Sequence, residues 1–288
     1  MREIIVGTDG SDQSLRAVEW AAEEAERRAL PLRIVHAEAE WMYDTPVDPR
    51  LVAVRQWLLA GDKELLAQAE AAARERAPGV DVRAESAPGQ VARVLLEKAG
   101  DAAMIVLGGH GMGAATGLLL GSSTLQVVTH ATVPTVVVRD LEPALRREIV
   151  VGVDGSAVSE PAIGFAFEEA ALRKARLRAV HVWTYPASSG PGDMRPLVYD
   201  PKIVAEEELR LVEKSLAAWR DRFPEVEVVF DVEHGRPVRI LGGASARADL
   251  LVVGSRGRGG FTGLLLGSVS HGLLHHAQCP LAVVPATR

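Results

Sequence analysis

Residues 4–14 read IIVGTDGSDQS, and residues 149–159 read IVVGVDGSAVS. Each begins as a short, largely β-branched run ending in glycine, the pattern of a parallel strand buried on both faces. Each continues into Asp-Gly-Ser, where Ser11 or Ser156 is placed to cap a helix. A second pair of stretches follows the same plan. Residues 106–122 read VLGGHGMGAATGLLLGS, and residues 252–268 read VVGSRGRGGFTGLLLGS. Gly7 and Gly152 lie 145 positions apart, and Gly108 and Gly254 lie 146 apart. That spacing exceeds the roughly 20–50 residues of a solenoid repeat, so it marks a whole domain duplicated and fused.

Outward from these motifs, strands alternate with helices. The first half is expected to hold strands near 3–8, 32–37, 80–86, 104–108 and 135–139. Its helices are expected near 11–29, 49–77 with an interruption at Gly61, 90–99 and onward from Ser122. The second half repeats the order, with strands near 148–153, 177–182, 226–232, 250–254 and 281–284. Its helices start at Ser156 and Ser268 and span 202–222 and 237–247. The domain boundaries read 1–140 and 147–288, joined by the charged linker Asp140 to Arg147. Such alternation predicts two α/β domains, each a parallel sheet with helices on both faces. Ligands in that architecture sit at the carboxyl ends of strands, where strand order reverses. The turns richest in glycine follow strands one and four.

Composition narrows the function. The chain has 288 residues, 48% of them apolar and 24% charged, which suits two globular domains. Its net charge of −6 offers no basic field for nucleic acid or an anionic membrane. No run of about 18 apolar residues is present to span a membrane. The chain opens directly into a strand with no leader pattern, and a cytoplasmic setting is expected. Cys279, the single cysteine, reads as a small buried hydrophobe.

Asp9 and Asp154 follow strand one of each half. A carboxylate there can accept from ribose hydroxyls or hold a divalent cation through water; it can also close a turn on its own backbone. The second motif runs Gly108-x2-Gly111-x9-Gly121-Ser122 and Gly254-x2-Gly257-x9-Gly267-Ser268. Gly108 and Gly254 end the strand and let a ligand approach backbone. Gly111, Gly113, Gly257 and Gly259 permit positive φ and inward-facing N–H groups. The helices that start at Ser122 and Ser268 bring unpaired amides and a dipole that favour an anion. Ser122, Ser123 and Thr124, or Ser268 and Ser270, add hydroxyls. The alternative is an ordinary serine cap. No lysine follows Gly121 or Gly267, so this is not a Walker loop, and phosphoryl transfer lacks its usual cation.

With both motifs present twice and in order, the chain resembles a tandem universal stress protein of the nucleotide-binding kind. The resemblance covers nearly the whole chain. It implies a five-stranded, Rossmann-like sheet of order 3-2-1-4-5, of the adenine nucleotide alpha hydrolase-like type, with ATP between strands one and four. It places phosphates on Gly111, Gly121, Ser122 and Ser123, and on Gly257, Gly267, Ser268 and Val269. It gives Asp9 and Asp154 to ribose or to a phosphate-bound Mg²⁺, and sets backbone near Ala37 and Val182 beside adenine. It implies one nucleotide per domain, paired fifth strands (Thr135–Arg139 with Leu281–Val284), a homodimer and an unidentified downstream protein partner. The function implied is nucleotide-dependent stress signalling; the alternatives are a slow ATPase and an interaction module with vestigial loops.

The two loops differ in charge. Arg256 and Arg258 stand where the first half has His110 and Met112. Arginine is always charged and forks onto phosphate, so tighter binding is expected in the second half. His36 and His181 recur near the end of strand two, as core histidines bonded to backbone or as part of the adenine pocket. His271 and His275 have zinc-compatible spacing without an acidic partner motif. The acidic runs at Glu23, Glu24 and Glu26 and at Glu206 to Glu208 read as solvated helix faces.

Overall fold

The computed structural model describes residues 2–43, 49–109, 120–139, 146–184, 201–257 and 265–286. The chain forms two compact units: Met1–Glu142 with Pro280–Pro285, and Pro143–Cys279 with Ala286–Arg288.

The first unit runs β1 (Ile4–Gly7), α1 (Asp12–Arg28), β2 (Leu32–Glu38), α2 (Val52–Arg76), β3 (Val82–Pro88), α3 (Val91–Lys98), β4 (Met104–Gly108), α4 (Ser122–His130) and β5 (Thr135–Val138). Its strands lie in the order β3-β2-β1-β4-β5, all parallel. Ile4, Ile5 and Val6 are fully buried, as a strand covered on both faces must be. Ser11 caps α1 by accepting from the Ser14 amide, and Ala29 ends it in the left-handed conformation at φ 51°. Ala17, Val18, Ala21, Ala22 and Ala25 form the buried stripe of this helix. The expected break at Gly61 is absent: α2 runs unbroken through it. Gly61 is exposed and costs about 1 kcal/mol of helix propensity, which good helix formers on either side outweigh.

The second unit runs β6 (Glu148–Val153), α5 (Glu160–Arg173), β7 (Arg176–Trp183), α6 (Pro201–Arg222), β8 (Val228–His234), α7 (Pro237–Ser245), β9 (Leu250–Gly254) and α8 (Ser268–His276). Strand β6 pairs with β7 and β9, and β7 with β8, all parallel, so the order 3-2-1-4 recurs. Here the helix does not start at Ser156: a 3₁₀ turn at Ala157–Ser159 precedes α5.

The last strand, β10 (Leu281–Val284), pairs antiparallel with β5, with Leu281 opposite Val137 and Val283 opposite Thr135. The two fifth strands thus pair as the family resemblance implies, and because they run antiparallel the sheet of the first unit is mixed. Both are buried at every position. Pairing removes two apolar edges that would otherwise attract another chain.

Candidate functional site

Parallel pairing of β1 with β4 places Ile4 beside Met104 and Val6 beside Val106, so both glycine-rich turns leave the same end of the sheet. The pairing of Ile149 with Leu250 and Val151 with Val252 does the same in the second unit.

In the first turn each aspartate closes on its own motif. Asp9 Oδ1 accepts from the Ser11 amide at 3.1 Å and from its hydroxyl at 2.6 Å. Asp154 Oδ1 accepts from the Ser156 amide at 3.0 Å and its hydroxyl at 2.7 Å. The intervening Gly10 and Gly155 take φ of 80° and 71°, which a side chain would strain. The turn reading of these aspartates is therefore what the geometry displays. Both stay half-buried at the strand ends.

Where it is described, the glycine loop closes through the same backbone bond in both units. The Gly121 amide donates to Gly109 O at 2.9 Å, and the Gly267 amide to Ser255 O at 2.7 Å. Thr124 Oγ1 donates to Gly108 O at 3.0 Å, and Ser270 Oγ contacts Ser255 O at 3.1 Å. Ser270 is buried and also contacts Gly267 O at 3.0 Å, so its hydroxyl holds the loop from within. Gly121 and Gly267 are the N-caps of α4 and α8, with no side-chain cap at either helix. The ordinary serine cap is thus overturned: each serine lies one position inside the helix. Ser122 and Ser268 are exposed, and Ser123 and Val269 half-buried, at uncapped N-termini that suit an anion.

The two motifs meet directly in the second unit. A Cβ on Gly257 would lie 2.6 Å from Asp154 Oδ2, and one on Gly254 3.0 Å from Arg256 O. In the first unit, Gly108 allows the Gln13 backbone to approach within 3.3 Å of where its Cβ would be. Gly7 and Gly152 have a different task. Their missing Cβ atoms would meet Leu107 and Leu95, and Leu241 and Val253, so glycine there serves core packing. Arg256 is exposed. His110, Gly111, Met112, Gly113, Arg258 and Gly259 lie outside the described residues.

Strand two contributes a buttress. His36 Nδ1 bonds Thr8 O at 2.9 Å and His181 Nδ1 bonds Val153 O at 2.7 Å. The opposite nitrogens reach Asp62 at 3.3 Å and Glu208 at 3.0 Å, on α2 and α6. Burial raises the Asp62 carboxyl above its usual range; His36 opposes this, and Glu38 adds to it. The histidines therefore clamp the carboxyl end of strand one to the long helix. Ala37 and Val182, beside them, are half-buried. Glu24 also departs from a solvated face: it is fully buried and pairs with Arg28 at 2.5 Å.

The family model for the universal stress protein family matches residues 1–139 and again 146–285. The chain belongs to the universal stress protein family, in tandem form. A universal stress protein of Mycolicibacterium smegmatis is 36% identical, over 98% of this chain and 96% of its own length. One from Mycobacterium bovis is 38% identical over 97% of this chain and 96% of its own. A crystal structure of a universal stress protein from Archaeoglobus fulgidus shares the fold, at TM-score 0.71 and 19% identity, with 98% of each chain covered. Among the described residues, no helix is long and apolar enough to cross a membrane.

Within this universal stress protein, Asp62 and Glu208 were not legible as site-flanking residues, although a signal existed. They lie 146 positions apart, as Gly108 and Gly254 do, so setting one half above the other exposes them. His271 and His275 face each other with ring centroids 5.4 Å apart. No group of three or more metal-ligating side chains forms among the described residues.

Proposed function

We propose that each half binds one adenine nucleotide, ATP in the first instance, and that occupancy serves as a regulatory signal and not as an intermediate in catalysis. The observation that carries this reading is the doubled, glycine-capped helix N-terminus, Gly121-Ser122 and Gly267-Ser268, at the carboxyl end of the sheet. A side-chain cap would consume these amides; glycine leaves them to an anion. Gly121, Ser122 and Ser123, and Gly257, Gly267, Ser268 and Val269, would take the phosphates, with Gly111 completing the first loop. Asp9 or Asp154 would face the ribose. Each site offers one carboxylate, which suits a Mg²⁺ that arrives on the nucleotide and keeps most of its water. Backbone at Ala37 and Val182 would border the base. No general base is committed to the site, since His36 and His181 are engaged at both ring nitrogens. The domains are proposed as 1–140 and 147–288, and the protein as a cytoplasmic homodimer.

Calorimetry with ATP, AMP and cAMP on the full chain tests the reading, together with mass spectrometry of small molecules released from gently purified protein. Two ATP molecules per chain and a rise in melting temperature with ATP–Mg²⁺ are expected. No bound nucleotide and no thermal shift would refute it. Single-turnover assays should yield no ADP above background.

A further inference from the structure

Helix α7 carries a basic face that its counterpart α3 lacks. Arg239 and Gly243 lie one turn apart on the helix, Arg236 is its N-cap and Arg247 follows its C-terminal end; all four are exposed. They line a groove of about 590 Å³ between this helix and the edge strand β8, together with Ile240 and Ala244. The matched positions in the first unit, 146 residues earlier, are Gln90, Arg93, Glu97 and Asp101. There the charges cancel: Arg93 bonds Glu97 at 2.9 Å along the helix, and Lys98 pairs with Glu85 at 2.7 Å. In the second unit Gly243 replaces the glutamate that would pair with Arg239. Among the described residues Arg236, Arg239 and Arg247 have no ion-pair partner. Arg178, which also lines the groove, is held by Asp231 and Glu148. Glu233 is the one acidic residue lining the groove.

Unpaired guanidiniums on one concave face are costly neighbours for one another unless an anion lies between them. Guanidinium forks match phosphate oxygens two at a time. Arg236 is also the N-cap of α7, with Pro237 following and no side-chain cap, so the helix dipole adds to the field. The net charge of −6 disfavours a long polyanion, which meets the field of the whole chain, whereas a compact ligand meets the arginines alone. We propose that this groove binds a small ligand bearing condensed phosphates, inorganic or nucleotide-borne, at a site separate from the glycine loops. The inference does not rest on the nucleotide reading above.

Inorganic tripolyphosphate, titrated into the full chain by calorimetry, tests it. Binding should persist with the chain saturated in AMP, which carries no condensed phosphate. It should weaken at least tenfold in Arg236→Gln/Arg239→Gln and in Gly243→Glu, which restores the charge pattern of α3. These positions are exposed and a Cβ at Gly243 meets nothing within 4 Å, so melting temperatures should hold. Loss of one class of ATP site in the same variants would assign the nucleotide as the phosphate carrier. Tripolyphosphate binding that is unchanged in both variants, or abolished by AMP in the wild type, would overturn the proposal. So would binding of single-stranded RNA or an acidic peptide where tripolyphosphate fails.

Discussion

Ala22, Ala73 and Ala77 are fully buried where α1 meets α2, whereas Phe167, Trp219 and Phe223 occupy the matched places in the second unit. The three rings stack with centroids 5.8–6.4 Å apart, and Arg222 lies over two of them. Gly164 on α5 makes the exchange feasible, because any Cβ there would collide with the Trp219 ring. Yet the turns are superimposable in chemistry. Both aspartates close on the serine two residues on, both histidines bond the strand-one carbonyl, and both loops close through the same backbone bond. Helix packing differs between the halves while these particular turn bonds are kept, even though a 3₁₀ turn precedes α5 in the second unit alone. Volume can be redistributed among side chains, whereas a backbone carbonyl at a fixed register admits few substitutes.

The largest test of this contrast is Phe167→Ala. Its ring is fully buried, and removal should cost about 3–5 kcal/mol, read by chemical denaturation. A loss under about 1 kcal/mol would mean that the aromatic wedge is incidental. Next comes Gly257→Ala, whose new methyl would press on Asp154 Oδ2. ATP affinity in the second unit should fall about tenfold or more, near 1.4 kcal/mol, with the first unit unaffected. Equal affinity in that variant would separate the two motifs functionally. Smaller again is the charge difference between the loops. Arg256→Ala with Arg258→Ala should weaken the second site about threefold to tenfold, since the exposed Arg256 guanidinium is screened. His110→Ala should change the first site less. Comparable affinities at both sites in the wild type would remove the asymmetry altogether.

The smallest effect is expected at Cys279, which sits where the first half has Val133. Burial pushes its thiol up to about 12, so at pH 8 roughly one molecule in ten thousand carries the thiolate. Alkylation should proceed only in denaturant. Cys279→Val, which imports the residue of the other half, should shift stability by less than about 1.5 kcal/mol.

Much of this was legible before any coordinates. Strands β4, β9 and β10 fall where their apolar runs begin and end, as strands covered on both faces should, whereas β6 starts one residue earlier at the buried Glu148, which pairs with Arg176. Ser11 and Ala29 bound α1 as the capping pattern anticipates. Other features were not legible. Glu24 reads as one more solvated acid, yet it is fully buried because Arg27 and Arg28 fold back on it. Ser270 reads as a ligand donor, yet its hydroxyl turns inward to two carbonyls. In both cases the partner is chosen by the fold, and a residue's type does not reveal which way it points.

Duplication, the strand–helix alternation and the two glycine motifs are properties of the linear chain, because each is a local pattern of spacing and residue type. Three matters required the folded molecule. The family resemblance implied that β10 and β5 pair, but the antiparallel sense and the register, which join residues nearly 150 positions apart, are set by no local propensity. The His–carboxylate clamps at Thr8 and Val153 depend on a long helix crossing above strand two. The arginine groove exists because Gly243 withholds the glutamate that neutralises the same face in the other half. All three arise from distance in space between groups that are remote or unremarkable in sequence, and electrostatics and hydrogen bonding act on that distance.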